Sequence, residues 1–401
     1  MVPSGWKITS LGNICDGQLQ TGPFGSQLHA HEYTDSGTAV IMPKDLINNR
    51  ADINSAAKIP AERAQTLSKH TLKDGDLLFS RRGDVARFAL IDDKSKGSLC
   101  GTGCLKATPS EKHSSKFLAY FLQKDAVRKW LEQNAVGQTM PNMNTSILME
   151  LPLMVASSYV EEEKIAQILS TWDKAITTTE QLLANSQHQK KALMQQLLTG
   201  KKRFAGFNEK WESTHLHNIA TIIMGSSPKS TAYNDDNNGL PLLQGNADIS
   251  NRKSAPRSFT SEITKECQIG DILLSVRAPV GNIASSLHNA CIGRGVAAIR
   301  ANEWSVQPYI YQWLLWFESR WKSLSQGSTF ESVNSSDIKS LRLSIPCIKE
   351  QQKIASVLSS ADQEIEILQQ KLDYLKQEKK ALMQQLLTGK RRVQINDKEV
   401  A

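Results

Sequence analysis

The chain has 401 residues, of which 40% are hydrophobic and 22% are charged, and a formal net charge of +8 at pH 7. This is an ordinary globular composition with room for about two or three domains, and no apolar run reaches the ~18 residues that cross a bilayer. The first residues, MVPSGWKITS, lack the basic and apolar regions of a signal peptide, so we expect a cytoplasmic protein. The charge is compatible with a nucleic-acid partner but does not establish one.

Six cysteines are scattered along the chain, and only Cys100 and Cys104 are close in sequence. No second cysteine pair or histidine pair completes a zinc-ligand spacing. In a reducing compartment this pattern favours free buried thiols over a metal site, so we expect no metal. Histidines 29 and 31, and histidines 215 and 217, form close pairs that also lack further ligands, and we expect them at the surface.

The first part of the chain, residues 1–155, is predicted to be a mixed α and β domain. Strand-like runs at Ala39–Met42 and Asp76–Ser80 alternate with turns rich in Gly, Asn and Pro. A helix is predicted at Ser115–Gln133, before the segment that leads into a much longer helical pattern.

That longer pattern occupies residues 156–203. Its middle is polar, with Thr179 and Ser186, and it stops at a Thr-Gly pair whose Gly200 suits a left-handed helix cap. The apolar positions at its two ends are Ile165, Leu169, Trp172, Ile176, Leu193 and Leu197.

A second domain is predicted at residues 204–348. Strand-like runs lie at Leu240–Leu243, Asp271–Val276 and Val296–Ile299, and a tryptophan-rich helix at Pro308–Ser325. Its tryptophans, Trp313, Trp316 and Trp321, are expected to be core residues rather than a platform for a ligand.

The last part, residues 349–401, begins with a clear coiled-coil pattern. Its apolar positions are spaced alternately four and three residues apart, and a 3.5-residue repeat makes two helices pair along a seam. One seam position is Lys379, and Lys190 is its equivalent in the first helix. The apolar seam positions are Ile354, Leu358, Ile365, Leu368, Leu372, Leu375, Leu382 and Leu386.

The two helical patterns are a duplication. KKALMQQLLTGK occurs at Lys190–Lys201 and again at Lys379–Lys390, and Glu161–Gly200 aligns with Glu350–Gly389 without a gap. The alternative, two unrelated amphipathic helices on separate cores, does not explain twelve identical letters. The domains repeat more faintly: Gly5–Ile14 resembles Lys210–Ile219, Gly75–Ala86 resembles Gly270–Gly281, and Gly137–Asn144 resembles Gly327–Asn334.

The order of these parts predicts how the helices pair. Parallel helices would require the short link at Lys201–Lys210 to travel back along a helix, whereas antiparallel helices need no return. We therefore expect an α+β protein with an internal pseudo-two-fold repeat, in which two α/β domains lie at opposite ends of an antiparallel two-helix coiled coil. A helix of about 37 residues spans roughly 55 Å, between one and two turns of B-DNA.

Three features together resemble the DNA-specificity subunit of Type I restriction-modification systems. They are the two LLTGK helix ends, the stretch IPCIKEQQKIA at Ile345–Ala355 and TGPFGSQL at Thr21–Leu28. The resemblance implies a non-catalytic subunit in which each target-recognition domain reads one half of a bipartite site in double-stranded DNA. It implies that the coiled coil sets the spacing of the halves and docks two methylation subunits, which bind S-adenosylmethionine. Restriction subunits, using ATP and magnesium, join through the complex, and this chain itself binds no cofactor.

DNA-reading side chains are expected in loops that follow the predicted strands, because base readout needs Arg, Lys, Asn or Gln in the major groove and phosphates need cations, hydroxyls or exposed N–H groups. The candidates in the first domain are Gly22, Phe24, Gly25, Ser26, Lys44, Arg81, Arg82, Arg87, Gln138 and Thr139. Those in the second are Ser226, Ser227, Lys229, Gln244, Asn246, Arg277, Arg294, Ser328 and Thr329.

Each set has a structural alternative. The glycine and serine loops after Gly22 and Gly225 are either sites of close backbone approach to a ligand or plain turns, and the loops at 138–139 and 328–329 either bind phosphate or cap a helix. Arg81, Arg82 and Arg277 favour DNA contact over a surface ion pair. Arg87 and Arg294, single residues near Gly-containing turns, have a solvated surface as the default interpretation.

Two other classes of protein remain as alternatives. An enzyme, such as a fused methyltransferase or nuclease, lacks support because neither N-P-P-[FYW] nor D-P-P-Y occurs and LTGKKR is not a phosphate-binding loop. The second alternative is a coiled-coil adaptor that binds only protein. Neither the bases recognised nor the spacer length follows from the sequence, since readout depends on side-chain placement and DNA bends at moderate cost.

Overall fold

A computed structural model describes the chain at residues 2–24, 27–137, 140–156, 158–321 and 332–395. Contacts divide it into two units, one of Met1–Thr178 with Leu372–Ala401 and the other of Thr179–Lys371. Each unit contains one domain and a part of both long helices. The four segments expected from the sequence therefore do not coincide with the two units, because the long helices are shared between them.

The described residues of the first domain form three β-sheets. Lys7–Ser10 pairs antiparallel with Pro152–Val155, so the start of the domain is tied to its end. A three-stranded sheet has the order Ala57–Ile59, Thr38–Ile41, Leu99–Cys100. The main sheet has six strands in the order Leu19–Thr21, Cys104–Ala107, Leu77–Ser80, Phe88–Leu90, Arg50–Ala51, Leu46–Ile47.

The second domain repeats this arrangement. Glu212–His215 pairs antiparallel with Arg342–Ile345. A five-stranded sheet has the order Tyr233–Asn234, Ser258–Thr260, Leu240–Leu243, Ala290–Ile292, Glu266–Cys267. The main sheet has the order Ala220–Met224, Val296–Ala301, Ile272–Ser275, Ile283–Ser285, Lys253–Ser254, Ile249–Ser250.

The strand pairings are equivalent in the two domains. The parallel pair Val40–Leu99 of the first domain corresponds to Leu242–Cys291 of the second. The two outer strands of the five-stranded sheet are matched in the first domain by isolated bridges, Thr34–Lys58 and Thr71–Leu99. The faint sequence similarity between the domains is thus a repeated α+β fold, as predicted.

The helices inside the domains differ in one respect from the prediction. The prediction of a single helix at Ser115–Gln133 was wrong. The chain forms two helices, Ser115–Leu122 and Asp125–Asn134, with Lys124 in an extended conformation between them. The second domain has Gln307–Phe317 followed by a 3-10 turn at Glu318–Arg320, and the predicted continuation to Ser325 lies outside the described residues. The shorter helices are Leu11–Ile14, Ala61–Thr66, Thr145–Met149, Leu216–Ile219 and Ser335–Lys339.

The three tryptophans of the predicted helix, Trp313, Trp316 and Trp321, lie in or against the core of the second domain, as expected. Trp313 and Trp321 are buried, and Trp316 is half-buried with the Arg320 guanidinium stacked 3.8 Å from its ring centre. They pack together with Tyr309 and Leu314, so the aromatic cluster is part of the hydrophobic core.

The cysteines are mostly buried thiols. Burial raises the pKa of both Cys15 and Cys100 to about 12, so these thiols stay protonated and unreactive. Cys347 is the exception to the prediction, because it lies exposed just before the second long helix. Within the described ranges, no three His, Cys, Asp or Glu residues are grouped to hold a metal ion, and no helix there has the length and apolarity to span a membrane.

Two helices of 39 residues, Tyr159–Leu197 and Ile348–Leu386, form the predicted duplicated pair. Every predicted seam residue on them is buried or half-buried. Leu183, which the sequence analysis omitted, is also buried, at 9% exposure. It occupies the seam position between Thr179 and Ser186, where the four-three alternation continues through the polar middle of the first helix.

In the first unit, the two helix segments run in opposite directions. Glu161 binds Arg392, and Asp173 accepts a 2.6 Å hydrogen bond from Lys379, so the partner number falls as the first number rises. The core of this unit joins the seam to the domain, with Ile165 and Leu386 in one cluster.

A tyrosine of the first domain takes part in the same contact. The Tyr120 hydroxyl donates to Asp173 at 2.6 Å. Burial, and then the bond to Asp173, raise the pKa of Tyr120, so the hydroxyl keeps the proton that it donates. Asp173 thereby connects the domain to both long helices.

The second unit contains the equivalent contacts. Lys190 binds Asp362, which also accepts a 2.6 Å hydrogen bond from Gln312 of the domain. Arg203 binds the fully buried Glu350 with two hydrogen bonds of 3.0 and 2.7 Å. The helix segments of this unit are therefore also antiparallel.

A predicted left-handed glycine lies three residues after the end of each long helix. Gly200 has a φ of 69° and Gly389 a φ of 63°, which a side chain would strain. Each lies against an equivalent tryptophan, Trp211 for Gly200 and Trp6 for Gly389. The two Trp residues that the repeats share thus pack against the C-terminal ends of the two helices.

Replacing Leu358 with Ala is expected to lower the free energy of unfolding by about 2–5 kcal/mol, because it removes a fully buried seam side chain and leaves a cavity. Ile367→Ala on the same helix is the matched control: Ile367 is 63% exposed, and its loss should change stability by at most about 0.5 kcal/mol. Urea unfolding followed by tryptophan fluorescence measures both. Equal effects of the two substitutions would contradict the assignment of the seam.

Candidate nucleic-acid interface

Loops distant in sequence meet at a cleft of about 150 Å³ in the second domain. Five of the predicted DNA-reading residues line it, although they come from four separate stretches of the chain. The lining residues are Ser227, Gln244, Gly245, Asn246, Arg277, Ala278, Arg294 and Gly295.

The backbone turn Gly293–Gly295 holds these loops together. Gly293 N–H donates to Leu243 at 2.8 Å, and Gly295 N–H donates to Gln244 at 3.0 Å. Val276 N–H in turn donates to Gly295 at 2.9 Å. A Cβ atom at Gly295 would collide with the Gln244 carbonyl oxygen, so this turn requires glycine for close backbone approach.

A buried aspartate shapes the loop before this turn in each domain. Gln244 N–H donates to the Asp248 carboxylate at 2.8 Å, and Met42 N–H donates to that of Asp45 at 2.9 Å. Both carboxylates are almost fully buried. The two aspartates therefore stabilise the loops from inside the protein. The neighbouring side chains are the ones that face a ligand.

The cleft is electropositive. Arg277 and Arg294 are exposed, and neither guanidinium has an acidic partner in the described part of the chain. Other arginines of the domain are engaged: Arg257 binds Asp248 at 2.9 Å, and Arg300 binds Asp271. Two unneutralised cations beside neutral amides suit an anionic, hydrogen-bonding ligand such as a DNA groove.

Two predicted residues of this domain lie beside the cleft but do not line it. Ser226 is exposed, and its N–H donates to Ile292 at 2.9 Å. Lys229 is exposed as well, and its N–H donates to Glu262 at 3.3 Å. A DNA contact by either remains a prediction.

The first domain brings its loops together in the same way. Gly101 N–H donates to Ile41 at 2.9 Å, and Arg81 N–H donates to Gly103 at 2.8 Å. The turn Gly101–Gly103 is therefore the counterpart of Gly293–Gly295. Neither turn was predicted from the sequence as the centre of the interface, although two glycines on either side of one residue were an available signal.

The first-domain side chains at this place have a different chemistry. The guanidinium of Arg81 lies 5.5 Å from the ring centre of Phe24, which is 50% exposed. Arg82 and Lys44 are exposed without an acidic partner among the described residues. Arg87 forms an ion pair with Asp84, with 3.2 Å between Nε and Oδ2. It is therefore the least available of the predicted arginines for contact with DNA.

Six predicted residues lie outside the described residues: Gly25, Ser26, Gln138, Thr139, Ser328 and Thr329. The segments beside two of these stretches do approach the interface. Arg82 forms a bridge with Asn142, and Arg277 forms one with Ser332.

Packing accounts for Gly22 and its counterpart Gly225. A Cβ atom on Gly22 would overlap the carbonyl oxygen of Gly101, and one on Gly225 would overlap that of Gly293. Both glycines are thus required inside the protein, whatever ligand the loop meets.

Comparison with known proteins identifies the family. Residues 3–185 and 208–377 match the model of the Type I restriction modification DNA specificity domain. The chain belongs to this family. The two matched regions agree with the repeated domains of the fold, and each continues into a long helix.

Similar proteins support the same family assignment. The chain is 29% identical over 413 residues to a putative type I restriction enzyme specificity subunit, MjaX, of Methanocaldococcus jannaschii, covering 98% of this chain and 95% of the relative. Its fold is similar to that of a Type I restriction-modification S subunit from M. genitalium, with a TM-score of 0.66, 16% identity and coverage of 98% and 97% of the two chains. It is also similar to an HsdS subunit from Thermoanaerobacter tengcongensis, with a TM-score of 0.51, 24% identity and coverage of 97% and 98%.

These comparisons confirm the function expected from the sequence resemblance. The chain is a DNA-specificity subunit of a Type I restriction-modification system and has no catalytic activity of its own. The alternatives of an independent enzyme and of a protein-only adaptor are not favoured.

Replacing Gly225 with Ala is expected to destabilise the second unit by about 1–3 kcal/mol, because the new methyl group overlaps two backbone carbonyl oxygens. Gly245→Ala is the control, since a Cβ there meets no atom within 4 Å. Its effect should be at most about 0.5 kcal/mol. Chemical denaturation measures both, and a Gly225→Ala protein as stable as the control would show that packing does not require the glycine.

Proposed function

We propose that each domain of this specificity subunit reads one half of a bipartite site in double-stranded DNA. The observation that carries this proposal is the convergence of loops at equivalent turns, Gly101–Gly103 and Gly293–Gly295, in two domains of the same strand order. The side chains around the turns differ, so the two halves of the site differ in sequence.

The long helices are proposed to form an antiparallel coiled coil that separates the two domains, one toward each end, and sets the spacing of the half-sites. Opposed helix directions within each unit support this: Asp173 meets Lys379 in one, and Asp362 meets Lys190 in the other. A helix of 39 residues spans about 58 Å at a rise of 1.5 Å per residue, more than one turn of B-DNA.

Two methylation subunits are proposed to dock on the outer face of these helices. Large apolar side chains are exposed on both helices, among them Leu182, Ile367 and Tyr374, and exposed apolar side chains on a helix can contact another protein. In this proposal the methylation subunits bind S-adenosylmethionine, restriction subunits join with ATP and magnesium, and this chain binds none of these. The complex acts on DNA in the cytoplasm.

Single arginine replacements test whether the domains read separate half-sites. Arg277→Ala is expected to weaken methylation at one half-site and Arg82→Ala at the other, each by about 1–3 kcal/mol, or roughly 5- to 150-fold, because each removes one exposed cation from one interface. The measurement is methylation of a random-sequence DNA library by the complex assembled with methylation subunits. Arg342→Ala is the control for general loss of charge, because it removes an exposed arginine of the second domain that donates to the Ser213 hydroxyl and does not line the cleft.

An equal loss at both halves from either single replacement would contradict this division of the site. So would a single undivided motif for the unmodified protein.

A further inference from the structure

Two amide side chains in the cleft of the second domain are held by polar neighbours. The Gln244 Oε1 atom accepts a hydrogen bond from the Ser227 hydroxyl at 3.2 Å. The Asn246 Oδ1 atom accepts one from the side-chain amide of Asn282. In both cases the oxygen of the amide group accepts a hydrogen bond from another residue of the protein.

The direction of the Ser227 bond follows from its second partner. Arg294 N–H donates to Ser227 Oγ at 3.1 Å, so the hydroxyl oxygen acts as an acceptor there and its own proton is available for Gln244. The amide of Gln244 is planar, and fixing Oε1 against Ser227 also fixes where Nε2 lies. Within the described residues, Gln244 Nε2 has no hydrogen-bond partner.

Gly293 makes room for this arrangement. A Cβ atom at Gly293 would lie only 2.5 Å from Gln244 Oε1 and 3.2 Å from Gln244 Cα. The side chain of Gln244 therefore lies against Gly293, where an added Cβ atom would displace it. Three residues, Ser227, Arg294 and Gly293, together determine the orientation of one amide group.

The side chains of the cleft consequently offer hydrogen-bond donors. The amide nitrogens of Gln244 and Asn246 have no hydrogen-bond partner among the described residues, and Arg277 and Arg294 add two guanidinium groups. None of the described residues that line the cleft carries a carboxylate. In the major groove, guanine alone presents two acceptors, N7 and O6, without a donor. Adenine pairs an acceptor with a donor, cytosine presents a donor, and thymine presents one acceptor, O4, beside its methyl group.

We propose that Gln244 is a specificity-determining residue that, with the cleft arginines, reads a guanine in the half-site of the second domain. Ser227 and Asn282 are positioning residues that act through Gln244 and Asn246. This inference rests on the proposed function, because it assumes that the cleft faces a major groove.

The first domain carries a different side chain at the equivalent place. Met42 occupies the position of Gln244, since each directly follows the strand residue, Ile41 or Leu243, whose carbonyl accepts from the first glycine of the turn. A Cβ at Gly101 would lie 2.6 Å from the Met42 sulfur, as one at Gly293 would lie close to Gln244 Oε1. The same scaffold thus accepts a thioether without hydrogen-bond donors, which supplies a replacement of similar size for testing.

The experiment compares Gln244→Met with the unmodified protein, each assembled with methylation subunits, on a random-sequence DNA library. At one position of the second domain's half-site, where the unmodified complex selects guanine, the variant should lose roughly tenfold or more of that preference. The other half-site should be read as before. Thermal unfolding of the two proteins checks that the replacement leaves the fold intact.

Two further variants test the positioning of Gln244. Ser227→Ala should relax the same guanine position, and Ser227→Thr, which keeps the hydroxyl, should restore it. Ser230→Ala is the matched control, because Ser230 is exposed, is not a predicted DNA contact, and has no side-chain hydrogen bond to any of the described residues. Gly293→Ala should also relax that position, because the added methyl group displaces the Gln244 side chain.

The inference is overturned if Gln244→Met leaves specificity unchanged, relaxes a position that is not guanine, or lowers methylation equally at both half-sites. It is also overturned if Ser227→Ala relaxes a position other than the one that Gln244→Met relaxes. Failure of the proposed function looks different: the unmodified complex would then yield no bipartite motif, and the variants would have no half-site in which to differ.

Discussion

The seam between the two long helices is the interaction on which the rest of the structure depends. Several of its apolar side chains belong to the domain cores: Ile165 and Leu386 share a cluster with Phe117 of the first domain, and Leu197 and Leu358 share one with Trp313 of the second. Burial of apolar area is the main favourable term in folding, so each domain gains stability by closing on both helix segments. Within each unit, the domain and the two helix segments therefore share one hydrophobic core.

Polar contacts give this seam its direction. A hydrophobic seam alone permits more than one register, whereas a charged side chain at a seam position needs a partner at one place on the facing helix. Lys379 meets Asp173, and Lys190 meets Asp362, so the duplicated lysines are satisfied only when the segments oppose each other. The basic residues after each helix have an internal role too, since Arg203 and Arg392 bind buried carboxylates rather than facing DNA.

The sequence predicted the helices and strands better than the interface, for a physical reason. A heptad pattern reports the burial of side chains on a single element, so Leu358 and Leu386 could be assigned from spacing alone. The cleft depends on which strands pair, and no local pattern shows that Ser227, Gln244 and Arg294 meet at one turn. The engagement of Arg87 by Asp84 and the helix break at Lys124 depend likewise on local geometry that composition does not specify.

Cross-linking tests the opposed direction of the helices most directly. In a Cys347→Ser background, which removes the exposed native thiol, a short bismaleimide should join Lys190→Cys to Asp362→Cys within one chain, and Asp173→Cys to Lys379→Cys in a second variant. The control pair is Asp173→Cys with Asp362→Cys, equivalent positions that would face each other only in a parallel pair. Electrophoresis under denaturing conditions detects the linked chain. Linkage of the first two pairs but not the control is the predicted result, and linkage of the control pair alone would contradict the account.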